Sequence, residues 1–292
     1  MSIDRLQEKI RKLKNPSIID MSLSREQIPP YILQEEGSFE KAYLKCCYEL
    51  LEGLRGIVPA VRFNFGRFAV LGTEGLVTLT RVTDYARKLG YYILLEIPDA
   101  SSYQTAVFNA ETLLSESCNW TFDGLIVSAY IGSDGIKPYA AKLEDSEKSL
   151  FVAVRTGNRS ATEIQDLLTG GRHVFEAKTD VVNRFKNTVA TKYGYDRVAI
   201  VGPASSASIL KKLRGKYKNL FILVDDYDSP SANAKNCAEA ADQYGHGTVV
   251  SAGASVTAAW INTENAGMGY VDDAIEAAER MKKNLTRYFA VL

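Results

Sequence analysis

Tyr91-Tyr92-Ile93-Leu94-Leu95-Glu96-Ile97-Pro98-Asp99-Ala100-Ser101-Ser102-Tyr103-Gln104-Thr105-Ala106 is the stretch whose reading decides the fold. It opens as a continuous apolar run without alternation, the signature of a strand covered on both faces. Charge and turn-forming residues begin at Glu96, where the strand ends. In an α/β barrel, catalytic side chains sit at this point, because the strand fixes the backbone and the loop beyond it faces the substrate.

Seven further apolar runs of strand length lie around it. Two precede it, Ser17 to Ser22 and Ile57 to Phe65. Five follow: Phe122 to Ser128, Leu150 to Val154, Arg197 to Val201, Leu220 to Val224 and Thr248 to Ser251. Helical patterns are expected from Pro29-Pro30 to about Arg55, and over Gly75–Gly90, Ala204–Arg214, Ala232–Tyr244 and Val271–Phe289. Continuous apolar strands alternating with helices predict a parallel sheet with helices outside. A count of eight closes that sheet into a (β/α)8 TIM-type barrel, an α/β fold with residues 1–292 as a single domain. Ile3, Leu6, Ile10 and Leu13 share one helical face, so residues 1–15 form an amphipathic N-terminal helical extension ended by Asn15-Pro16.

Charge excludes some functions. The 35 basic and 35 acidic residues cancel, whereas a nucleic-acid binder needs an excess of Lys and Arg to displace counterions. The longest nearly uncharged run, Gly247 to Asn262, is too short and too polar to span a bilayer. The N-terminus is charged from Asp4 onward and is no secretory signal. Cys46, Cys47, Cys118 and Cys237 show no C-x-x-C spacing and read as reduced thiols. With His173 and His246 as the two histidines, a His-based metal site is not expected. A cytoplasmic protein needing no cofactor and no metal is expected.

Several blocks resemble one family in order along nearly the whole chain. Glu96-Ile97-Pro98-Asp99-Ala100-Ser101, closed by Thr105, overlies the Asp-x-Lys-x-x-Asp strand and Thr of orotidine 5'-phosphate decarboxylases. Ala129-Tyr130-Ile131-Gly132-Ser133-Asp134-Gly135 is similar to the family's Pro-Tyr-Leu-Gly-x-Asp-Gly. Arg155-Thr156-Gly157-Asn158 resembles the next loop. Leu223-Val224-Asp225-Asp226-Tyr227-Asp228 overlies a Pro-Gly-x-Gly loop, and Thr248 to Thr257 the final phosphate loop. The likeness is to the longer bacterial branch, with its amphipathic N-terminal extension.

The resemblance implies a chemistry that these residues do not match. The family stabilises charge at pyrimidine C6 with an alternating Lys-Asp-Lys-Asp array, and its second lysine protonates that carbon. Here Ser22 overlies the first-strand Asp, Arg62 the first Lys, Glu96 the next Asp, Pro98 the proton-donating Lys and Ser101 the last Asp. Arg62 keeps charge but does not release a proton near neutral pH. No Lys occurs between Gly90 and Lys137, so the strand has no substitute to offer. Gly157 stands where the family has a pyrimidine-contacting Ser, and Ala254 where it has a phosphate-binding Arg. The seventh loop brings Asp225, Asp226 and Asp228 beside Tyr227, in place of backbone that would cradle a dianion. Those carboxylates read as a solvated acidic turn or as a cation or basic-partner site, without the spacing of a dedicated calcium loop.

Two functions follow as expectations. The first is a catalytically degenerate paralogue, acting by protein contacts or by holding another small molecule in the barrel mouth. The pocket would be formed by Arg62, Glu96, Thr105, Tyr130, Arg155, Gly157, Asp225, Asp226, Tyr227 and Ala254. The second is an active lyase converting orotidine 5'-phosphate to UMP and CO2 in pyrimidine biosynthesis. Either would be a homodimer, as the family typically is, with no nucleic acid or membrane partner.

Overall fold

A computed structural model describes residues 2–144, 146–186 and 191–289. Positions 1, 145, 187–190 and 290–292, which the expected 1–292 domain includes, lie outside the described residues. Eight parallel strands close a barrel. They are β1 (Ser17–Asp20), β2 (Ala60–Asn64), β3 (Tyr92–Glu96) and β4 (Gly124–Ser128), then β5 (Ser149–Ala153), β6 (Val198–Pro203), β7 (Ile222–Asp225) and β8 (Thr248–Ala252). Each pairs with its neighbour in sequence, and β1 pairs with β8 to complete the ring. All eight expected strands are present, with ends shifted by up to three residues.

The helices outside begin with α1 (Ser2–Leu13), α2 (Pro30–Glu36), α3 (Phe39–Gly53), α4 (Phe65–Ala69), α5 (Gly72–Lys88) and α6 (Tyr103–Leu113). They continue with α7 (Lys137–Leu143), α8 (Val174–Val182), α9 (Ala207–Lys216), α10 (Ala234–Ala238), α11 (Ala254–Thr257) and α12 (Tyr270–Thr286). Two expected helices differ. The region from Pro29 to Arg55 breaks at Gly37, whose φ of 67° is left-handed, and restarts at Ser38, whose hydroxyl caps α3. The helix expected over Ala232–Tyr244 is only α10, and beyond it the Asp242 carboxylate accepts from the N–H groups of Tyr244 and His246 in a turn. Among the described residues, no helix is long and apolar enough to cross a membrane.

Strand parity divides the apolar residues into two cores. Ile19, Val61, Phe63, Ile93, Leu95, Leu125 and Val127 point outward and pack under the helices. Ile18, Ala60, Tyr92, Leu94, Ile126, Phe151, Leu223 and Val249 point inward. The apolar face of α1 joins this inner core through Ile3, Leu6 and Ile10, each at most 1 % exposed. These three seal the N-terminal end of the barrel. Two residues further along the same inward face lie Asp20 after Ile18, Arg62 after Ala60, Glu96 after Leu94, Asp225 after Leu223 and Ser251 after Val249. The alternation that builds the core thereby delivers a charged layer to the C-terminal mouth.

Candidate functional site

Arg62 is the centre of that layer. Its Nη1 lies 2.7 Å from Asp225, its Nε 3.0 Å from Asp20 and its Nη2 3.2 Å from Glu96. The Ser251 hydroxyl adds a fourth contact at 3.3 Å. The strands set this arrangement, since Asp20 is the register partner of Arg62 on β1. Burial opposes the guanidinium charge, but the carboxylates of Asp225, Asp20 and Glu96 outweigh it and hold its pKa above the ordinary value. Glu96 moves upward for the converse reason: burial raises it more than Arg62 lowers it, and Asp225 and Asp20 add to the rise. Three carboxylates on one cation leave the cluster anionic.

A cavity of about 460 Å³ lies above it. Of the expected site residues, Ser22, Arg62, Gly157, Asp225, Asp226, Tyr227 and Ala254 line it, together with Asp20, Asp228 and Ser251. Among the described residues lining it, Arg62 is the one cation against four carboxylates. The backbone of the seventh loop is pinned by the Tyr227 N–H donating to the Ser251 carbonyl at 3.0 Å. Asp226 adopts a φ of 67°, unusual for a residue with a side chain. Its carboxyl presses on Gly157, where an added Cβ would meet Oδ2 at 2.5 Å. A serine at 157 would therefore require the Asp226 side chain to move. Burial raises the Asp226 carboxyl, and Asp225 and Asp228 raise it further.

Asp228 reaches across to the eighth loop. Its Oδ2 accepts from the Gly253 N–H at 3.0 Å and the Ser255 N–H at 3.3 Å, and its Oδ1 accepts from the Ser255 hydroxyl. The N–H groups at the start of α11, in the segment that the resemblance assigns to a phosphate loop, thus already hold an internal carboxylate. Ala254, between them, adds no charge. Among the described residues, no group of three or more His, Cys, Asp or Glu is arranged to hold a metal ion.

The remaining expected residues do not line this cavity. Pro98 and Glu96 line a smaller neighbouring cavity of about 300 Å³. Ser101 is exposed. Ser102 caps α6 by accepting from the Thr105 N–H at 3.2 Å, and the two hydroxyls lie 2.9 Å apart, so Thr105 serves the helix start. Arg155 turns from the mouth to Asp166, with Nη2 to Oδ2 at 2.9 Å. Tyr130 is exposed and borders a third cavity. Asp20 was absent from the sequence reading, which placed the first-strand position at Ser22. Parity with Ile18 is the signal that identifies Asp20. Ser22 instead accepts from the Asn64 N–H at 2.8 Å and closes the β1–β2 edge.

No protein-family model matches the chain. Similarity to individual proteins runs its full length. A Clostridium novyi protein named orotidine 5'-phosphate decarboxylase is 25 % identical over 287 residues, covering 98 % of each chain. A Clostridium acetobutylicum protein of the same name is 23 % identical over 288 residues, covering 98 % of this chain and 99 % of its own. Among solved structures, a Toxoplasma gondii protein described as a candidate orotidine-monophosphate decarboxylase superposes with a TM-score of 0.77 at 18 % identity, covering 98 % of both. Nearly end-to-end sequence similarity, on a closed barrel of the same architecture, makes this chain similar to proteins named orotidine 5'-phosphate decarboxylase.

Proposed function

We propose that this barrel is a non-decarboxylating member of its family, acting through protein contacts or by holding a ligand other than the nucleotide. One observation carries the reading: the cation of the mouth, Arg62, is fully engaged by Asp20, Glu96 and Asp225. A guanidinium so held neither donates a proton nor turns to a substrate anion. Lysine is absent from the residues lining both mouth cavities. Phosphate would have to displace Asp228 from the Gly253 and Ser255 N–H groups and then sit beside Asp225 and Asp226.

Losing one charge-assisted contact costs roughly 1.5–3 kcal/mol, or one to two decades of affinity. UMP and orotidine 5'-phosphate should therefore show no binding tighter than about millimolar. Isothermal titration at low ionic strength is the test. Micromolar binding that weakens as salt rises would contradict the proposal, because it would show a cationic site where the structure has carboxylates.

The names of the full-length relatives favour a second reading, an active decarboxylase making UMP with altered residues. The two separate on turnover.

The proposal extends to assembly as a homodimer. Tyr103 and Phe108 on α6 are 49 % and 58 % exposed, beside the half-buried Val107. Exposed aromatic side chains on one helix suit a partner surface. Light scattering at micromolar concentration should give twice the chain mass of 32.2 kDa, and a monomer would overturn this part.

A further inference from the structure

The third cavity, about 400 Å³, lies outside the charged mouth, between the ends of β4 and β5 and helix α8. Val174, Ala177, Lys178 and Val181 of α8 face it, at the spacing that puts them on one side of a helix. Ile136 and Val154 complete an apolar wall, and Asp99, from the loop after β3, lines the same space.

Two charged residues line this cavity, Lys178, which is half-buried, and Asp99, which is exposed to solvent. Lys178 is half-buried and makes no hydrogen bond or ion pair among the described residues. Burial pushes its amine below the ordinary value, and Asp99 opposes that shift through space. Asp99 is nevertheless beyond ion-pair distance of Lys178 and of every other cation among the described residues. A half-buried ammonium without a contact partner is costly, and an apolar wall offers none. The Ser128 hydroxyl, also lining the cavity, has no hydrogen-bond partner among the described residues.

We propose that this cavity binds a free α-amino acid with an apolar side chain. Its carboxylate would meet Lys178, its ammonium Asp99, and its side chain the wall formed by Ile136, Val154, Val174 and Val181. A simple anion would gain Lys178 but face the Asp99 carboxylate, and a simple amine would face the reverse. The zwitterion satisfies both, and the volume falls within the usual range for small-molecule pockets. This inference is independent of whether the mouth decarboxylates anything.

The probe is L-leucine, with 4-methylpentanoate and 3-methylbutylamine as versions lacking one charge each. Calorimetry on the wild-type chain should give submillimolar binding of L-leucine. Each single-charge analogue, and each of Lys178→Met and Asp99→Asn, should bind about tenfold or more weakly. Val174→Trp, which fills the cavity, should abolish binding while leaving the fold measured by circular dichroism unchanged. If Lys178→Met does not fold, the analogue series and Val174→Trp decide. No heat from L-leucine at about 10 mM, equal binding of either analogue, or undiminished binding by a folded Lys178→Met would overturn the proposal.

Discussion

Arg62→Met should destabilise the protein by about 3 kcal/mol near neutral pH, the low end of the range for removing one partner of a buried ion pair. The side chain is only 11 % exposed, while Asp20, Glu96 and Asp225 are 23 %, 33 % and 34 % exposed, so water screens part of the loss. Methionine matches the volume of the arginine stem, and the remaining effect is electrostatic. Three carboxylates would then converge on an uncharged side chain.

The pH dependence has a definite sign. The folded-state pKa of Glu96 is already above its ordinary value, because burial disfavours the charged form. A carboxyl raised in the folded state costs nothing below its unfolded pKa, and its cost grows as pH rises through the folded value. Removing Arg62 removes the cation that restrains this shift. The deficit of the variant should therefore shrink as pH is lowered from about 7 to about 5. Urea unfolding at both pH values, with unchanged slope, measures it. Arg62→Lys, which keeps charge but loses the fork, should fall between. A variant as stable as the wild type at neutral pH would mean that the three ion pairs do not hold the mouth.

The barrel is legible in the sequence because parallel strands with both faces covered read as unbroken apolar runs, and eight such runs have one common closure. Helices were less legible where their buried face is made of small residues. On α6 the buried positions are Ala106, Ala110 and Leu113, a weak contrast with Tyr103 and Phe108 on the exposed side. Pro98 is legible as a residue with no proton to give, since no contact can give proline an ammonium group. Asp20 could have been found from strand parity alone. The role of Asp228 could not. Its contacts with Gly253 and Ser255 span 25 and 27 residues between two loops, and loop-to-loop contacts leave no periodic trace. Sequence suggested that the acidic loop would repel a phosphate. In the structure one of its carboxylates accepts from the N–H groups of Gly253 and Ser255, in the loop that the resemblance assigns to phosphate.

The charge inventory of the mouth sets the largest effect of all, on turnover. A positioned general acid contributes roughly a hundred- to ten-thousandfold to rate, and preorganised charge around the reacting atom commonly contributes more. On the proposed reading Pro98 and Ser101 supply neither, and the Arg62 cation is held by Asp20, Glu96 and Asp225. On the same reading the Gly253 and Ser255 N–H groups, which donate to Asp228, are not open to a phosphate, and substrate binding is weakened as well. The direct measurement is the decrease in ultraviolet absorbance as orotidine 5'-phosphate is converted to UMP, at high concentrations of purified protein. An Asp20→Asn, Glu96→Gln double variant serves as the control for contaminating host enzyme. The expected result is the same background rate for the wild type and the double variant. Turnover that co-purifies with the wild-type chain and disappears in a folded double variant would show instead that the Arg62 cluster is a working decarboxylase site.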